Sequence, residues 1–206
     1  MKGPSRVPPR NPEGSVNAIV EIPRGGRVKY KVDERSGTLA FGKVLPAGFV
    51  FPFNFGSIPS TLAPDGDPLD VVVLLDEALA LGTVVAVELA AVIEAKQTSE
   101  GKTTRNDRLV GVVTAGKGGG KRPPAPAPSP VVLEEIERFF VAYNEQQHKT
   151  FVPLSRKGPE RARELLAQAL ARWKRRHAPR RAPARSRRSS PGSDSSRRRP
   201  AARPAR

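Results

Sequence analysis

The chain has 206 residues, 37% of them hydrophobic and 5% aromatic, with no cysteine and a formal net charge of +16. That length suits one domain with appendages, and the missing cysteines exclude disulfides and thiolate metal sites together. No apolar run reaches membrane-spanning length, and Met1 to Glu13 is polar and proline-rich without the apolar centre of a signal peptide, so a cytoplasmic protein without membrane contact is expected.

Residues 1–14 read as a flexible lead-in to a domain over 15–176. Val16 to Ile22 reads as a strand that stops at Pro23, Arg24-Gly25-Gly26-Arg27 as a turn, and Val28 to Val32 as a second, alternating strand. Gly37 ends a turn before a short strand from Thr38 to Leu45. Residues 46–64, dense in Pro, Gly and Phe, read as a loop.

The segment that follows, Asp65-Gly66-Asp67-Pro68-Leu69-Asp70, puts three carboxylates within six residues on a turn. It runs directly into Val71 to Leu75, which reads as a buried strand. Like charges this close repel unless a cation sits among them. Hard divalent ions with oxygen shells suit the purpose, and Mg²⁺ is commonly held by a few carboxylates together with substrate phosphates. The bland alternative is an exposed acidic turn. An EF-hand is excluded, because the third acid falls one position late and a proline interrupts the loop.

Thr83 to Ala95 and Arg108 to Val113 are further strands, and residues 116–130 form a low-complexity Gly/Lys and Pro/Ala connector. Val132, Leu133, Ile136, Phe139, Phe140 and Tyr143 recur at helical spacing after Pro130. Ala162, Leu165, Leu166, Ala169, Leu170 and Trp173 mark a second helix that opens at Gly158-Pro159. Short strands followed by helices indicate an α+β fold with a mainly β core, a barrel or a sandwich. His148 and His177 lack metal-ligand spacing and read as surface residues.

The net charge is unevenly placed. Lys174 to Arg206 holds 13 Lys/Arg and one acid, which leaves only +4 for the rest of the chain. Residues 177–206, rich in Arg, Pro and Ser, lack the apolar side chains that would offset ordering entropy, so a disordered tail is expected. It is either a solvated extension or a weak contact for nucleic acid or polyphosphate through counterion release.

Taken in order, Glu21-Ile22-Pro23, Lys29-Tyr30, Phe51-Pro52-Phe53-Asn54-Phe55-Gly56-Ser57-Ile58-Pro59 and Asp65 to Asp70 resemble the soluble family I inorganic pyrophosphatases. The resemblance runs from about Val16 to Val113 and more weakly to Trp173. It implies an OB-like small β-barrel with two flanking C-terminal helices, Mg²⁺-dependent hydrolysis of pyrophosphate, and a homo-oligomer, most often a hexamer in bacteria. It makes Asp65 and Asp70 resemble metal ligands, Asp67 the carboxylate that takes a proton from the attacking water, and Glu21 an outer metal-shell carboxylate. Lys29, Lys43, Arg108 and Tyr143 are the substrate-binding positions it implies.

Several positions depart from the family pattern. Lys31 stands where a glutamate is usual, Lys43 replaces an arginine and loses its bidentate fork, and Phe51 and Phe55 replace tyrosines. A second carboxylate cluster, usually an Asp-Glu pair and then Asp-x-Lys, is replaced by Gln97 to Glu100 and Asn106-Asp107-Arg108. Strict spacing puts Asn106 on the missing aspartate, whereas a one-residue bulge brings Asp107 there. Asp107 is preferred as the metal ligand because asparagine cannot supply the charge. Asn144 follows Tyr143 where the family carries a lysine. These losses motivate a rival reading, a degenerate phosphate- or polyphosphate-binding barrel with little or no catalysis.

Overall fold

The computed structural model describes residues 7–33, 36–113 and 126–178. Its elements run β1 (Val16–Ile22), β2 (Val28–Asp33), β3 (Thr38–Val44), β4 (Asn54–Ile58), β5 (Leu69–Leu74), β6 (Val84–Ser99), β7 (Lys102–Arg105), β8 (Arg108–Val113), α1 (Pro130–Glu145), β9 (Thr150–Lys157) and α2 (Pro159–His177). Five strands pair in the order β1-β4-β5-β8-β6, and β6 pairs back to β1, which closes a ring. The result is the expected OB-like, mainly β core with two helices. All these pairings are antiparallel except β5 with β8.

Closure depends on β4, the strand hidden inside the expected loop. Pro52 and Pro59 flank it and Gly56 sits in its centre, so its sequence reads as turn material. Yet all five of its residues are buried. A Cβ on Gly56 would lie 1.8 Å from the Ile19 carbonyl oxygen, so the β1–β4 contact admits only glycine. Two other strands are also new. β6 continues to Ser99 and turns back into β7 through Glu100 (φ 52°) and Gly101 (φ 74°), a two-residue hairpin loop with both residues left-handed. β9 carries Pro153, which is tolerated because it sits beside the irregularity between Glu94 and Ala95 on β6.

Two apolar clusters back the ring. Val20, Ile58, Val71, Val87 and Leu109 pack with Ala162, Leu166 and Ala169 of α2. Phe51, Phe55, Val72 and Ile93 pack with Ile136, Phe140 and Tyr143 of α1 and with Phe151 of β9. α1 is capped by Ser129, whose Oγ accepts from the Val132 amide, with Pro130 in its first turn. α2 starts at Pro159 and ends in Lys174, Arg175 and Arg176, charges that suit its C-terminal dipole.

β2 and β3 form a separate hairpin in which Lys29 stands opposite Lys43. Part of the expected lead-in is held in place: Arg10 bridges Val16, and the Asn17 amide donates to the Pro9 carbonyl at 3.0 Å. The connector over 116–125 and the tail from 179 onward lie outside the described residues.

Candidate active site

The acidic turn is built by local hydrogen bonds. Thr61 Oγ1 donates to the Ile58 carbonyl at 2.5 Å and accepts from the Leu69 amide at 2.9 Å, which ties the start of the loop to β5. The Ala63 amide donates to the Asp67 carbonyl at 2.8 Å, and Asp65 Oδ1 accepts from the Asp67 amide at 3.2 Å. Gly66 takes φ 94°, which a side chain would resist. Asp65 and Asp67 are thereby presented at the surface, while Asp70, on β5 opposite Ser57 of β4, lies partly buried.

Sheet pairing then assembles a cleft of about 60 Å³ lined by Glu21, Lys29, Lys31, Ser57, Asp67 and Asp70. Glu21 ends β1 with its side chain buried and accepts from Ser57 Oγ at 2.6 Å. Burial pushes the Glu21 carboxyl up, and the Asp70 charge adds to this; Lys29, the Ser57 hydroxyl and Lys31 offset only part of it. Asp65 is raised as well, first by loss of water from its protein-facing side and then by Asp70 and Asp67. The Asp67 amide and Arg108 oppose that shift. Burial, with a smaller contribution from neighbouring acids, thus disfavours the ionised form of both carboxyls beyond what the hydrogen bonds and nearby cations relieve.

Two cations enter this acidic group directly. Lys31 Nζ lies 3.0 Å from Asp67 Oδ2, and Arg108 Nη1 lies 2.6 Å from Asp70 Oδ2. The Asp67 charge and hydrogen bond, with Asp70 and Asp67's neighbour Glu21 behind, more than offset the burial that would otherwise lower Lys31, and its ammonium is held above the ordinary lysine range. The Arg108 guanidinium lies over both Phe140 and Phe151, 4.7 and 5.3 Å from their ring centres, and its Nε is buried without a hydrogen-bond partner among the described residues. Among the described residues, no three acidic or histidine side chains converge as a ready-made metal cage.

Of the other expected phosphate-binding groups, Lys29 lines this cleft, while Lys43 and Tyr143 stand together outside its lining. Lys29 Nζ lies over the Phe55 ring at 4.9 Å, and Lys43 Nζ over the Tyr143 ring at 5.1 Å while also hydrogen-bonding Gln147. Tyr143 is buried and stacks on Phe139 with ring centres 5.7 Å apart. Phe51 and Phe55 are fully buried in this aromatic group, so the phenyl rings at those positions serve as core. Asn144 spends its side-chain amide on the Phe140 carbonyl at 2.7 Å. His148 is exposed.

Asp107 is not brought to this cleft. Its Oδ1 accepts from the Ala95 amide at 2.9 Å and from Arg105 Nε at 2.6 Å. It lines a different cavity, with Ala63, Pro64, Arg105, Arg161 and Arg172. The cause is alternation along an extended chain: Asn106 and Arg108 point one way and hydrogen-bond each other, and Asp107 points the other. The bulge that would have reversed this lies elsewhere, between Leu89 and Ala91 of β6. Ser57 was missed as a site residue because β4 was not legible as a strand. Lys31 was noted as a departure, but its contact with Asp67 needs the hairpin's placement.

A family model described as inorganic pyrophosphatase matches residues 18–174. The chain belongs to the inorganic pyrophosphatase family. Among its relatives, soluble inorganic pyrophosphatase 2 of Chlamydomonas reinhardtii is 33% identical over 168 residues, covering 80% of this chain and 84% of the relative. The inorganic pyrophosphatase of Bradyrhizobium diazoefficiens is 31% identical over 170 residues, covering 80% of this chain and 93% of the relative. The crystal structure of inorganic pyrophosphatase from Thermus thermophilus superposes with a TM-score of 0.70 at 29% identity, over 84% of this chain and 99% of that one. In this member of the pyrophosphatase family the family-wide match spans both the acidic turn and the two helices that flank the ring.

Proposed function

We propose that the chain is an inorganic diphosphatase that hydrolyses pyrophosphate to two phosphates with Mg²⁺ as cofactor. The observation that carries this reading is the Asp65–Asp70 turn, from which Asp67 and Asp70 face Lys29 and Lys31 across one cleft while Asp65 stands beside it at the surface, within a chain of the pyrophosphatase family. The donor set fits a hard cation. It is all oxygen, and both Glu21 and Asp65 are raised by burial and by acidic neighbours, a cost that a bound cation relieves. Asp65 and Asp70 would hold the ion directly, and Glu21 through water. When bound, Mg²⁺ supplies positive charge for the phosphoryl oxygens and lowers the pKa of water.

The remaining work falls to the chain's own groups. Lys29 and Lys43, opposite each other on the β2–β3 hairpin, bind the terminal phosphates, with the Tyr143 hydroxyl as a further donor. Asp67 accepts the proton of the attacking water at its carboxylate. Arg108 positions Asp70 and balances its charge rather than binding substrate, since its Nη1 is already engaged by Asp70 Oδ2 at 2.6 Å. Asp107 is left out of the metal shell because its carboxylate is committed to Arg105 and to the Ala95 amide.

A cytoplasmic setting and a homo-oligomeric state belong to the same reading, the first supported by the word "soluble" in the name of the Chlamydomonas relative. So does weak polyanion contact through the arginine-rich C-terminal segment, supported by its composition. Phosphate release from pyrophosphate by the full chain, in Mg²⁺ and in EDTA, tests the function. Mg²⁺-dependent release is expected. Binding of pyrophosphate without release would reduce the chain to a phosphate-binding barrel.

A further inference from the structure

The cleft contains its own counter-ions, and the two closest differ in kind. Arg108 is fixed: its side chain is 6% exposed, lies over two phenylalanine rings and stands at the start of β8. Lys31 is not. It projects from a hairpin that shares no ladder with the ring, and the Lys31 and Asp67 side chains are 55% and 61% exposed. An ammonium on a four-carbon stem, paired in water, is held weakly and is readily taken over by another anion. A diphosphate is such an anion under the diphosphatase reading, and Lys29 in the same cleft would attract it as well.

We propose that Lys31 is a displaceable counter-ion for Asp67. It opposes divalent-cation binding at the turn while the cleft holds no phosphate ligand, and moves to the phosphoryl oxygens when a diphosphate binds. Asp67 is then released, so cation and diphosphate favour each other's binding through Lys31. Such coupling is reciprocal by linkage. The inference rests on the diphosphatase reading and adds to it a coupling between cation and diphosphate that runs through one side chain.

The test is Mn²⁺ binding to the full chain, followed by electron paramagnetic resonance at fixed ionic strength. It is run with and without methylenediphosphonate, correcting for the Mn²⁺–diphosphonate complex in solution. Without diphosphonate, Lys31→Met should bind Mn²⁺ about two- to fivefold tighter than the native chain, the range an exposed ion pair supports. Diphosphonate should tighten Mn²⁺ binding in the native chain and in Lys31→Arg, and clearly less in Lys31→Met. Lys29→Met, which removes the same charge without touching Asp67, should give a smaller gain. Unchanged or weaker Mn²⁺ binding in Lys31→Met overturns the proposal, as does an equal gain in Lys29→Met, which would mean a general field rather than this contact. If the native chain binds Mn²⁺ and hydrolyses pyrophosphate while Lys31→Met keeps native affinity, this inference alone fails. If no form binds Mn²⁺, the diphosphatase reading fails with it.

Discussion

Asp65, Asp67 and Asp70 share one turn but stand in different company, and that decides what a substitution at each can report. Asp70 pairs with a nearly buried arginine, so Asp70→Asn also weakens the partner that neutralises Arg108. Removing one member of a buried pair typically costs about 3–5 kcal/mol. Lost activity in that variant therefore mixes folding with chemistry. Asp65 is exposed and, among the described residues, accepts from the Asp67 amide, a bond that asparagine keeps, so Asp65→Asn tests the metal role without breaking a buried ion pair. Asp67→Asn removes the proton acceptor; its kcat should fall by about 10²–10⁴-fold with a much smaller change in Mg²⁺ affinity, read from kcat across a Mg²⁺ titration. A change confined to affinity would make Asp67 a ligand. Glu21 gives a pH signature. Its folded-state pKa is raised above the ordinary glutamate value of 4.5, so in the window just above that value the folded chain holds a proton the unfolded chain has lost. Stability in EDTA should then fall as pH rises through that window. Glu21→Gln, which can still accept from Ser57, should flatten that part of the decline in denaturant midpoints. An unchanged slope would show that Glu21 ionises normally.

At the scale of elements, legibility in the sequence followed the strength of local pattern. β1, β8 and α2 carry clean apolar signals, and both helices start at their prolines, as the sequence predicts. β4 and β9 were hidden by Pro and Gly, residues tolerated there for tertiary reasons: a backbone approach at Gly56 and a ladder irregularity beside Pro153. The acidic turn was legible because its chemistry lies in six consecutive residues. Asp107 stands away from the cleft because its direction depends on the alternation of the extended residues leading into β8, and a one-residue choice of register inverts that. Asp107 now reads as a strand tie. Asp107→Ala leaves the buried Ala95 amide without its acceptor and should cost about 1–3 kcal/mol in urea unfolding, with the Mg²⁺ requirement for activity unchanged. A raised Mg²⁺ requirement at full stability would return Asp107 to the metal shell.

The whole molecule is a closed strand ring with one helix packed on each of two apolar clusters, and the cleft opens where β1, β4 and β5 meet the β2–β3 hairpin. The ring fixes Glu21, Ser57 and Asp70, while the hairpin delivers the lysines. The ring's acids and the hairpin's lysines thus come from separate sheets. Composition alone could not show this, because most of the +16 lies in the C-terminal segment and says nothing about the cleft. The central claim is that the acidic turn is a metal-dependent pyrophosphate-hydrolysing centre. The most direct measurement compares the native chain with Asp65→Asn for phosphate release from pyrophosphate and for the thermal midpoint, each with and without Mg²⁺. The native chain should release phosphate only with Mg²⁺ and melt higher in its presence, since a ligand stabilises through the site it binds. Asp65→Asn should melt at or slightly above the native midpoint without metal, gain little from Mg²⁺, and release almost no phosphate. Native-like, Mg²⁺-dependent release by Asp65→Asn would contradict the assignment of this turn.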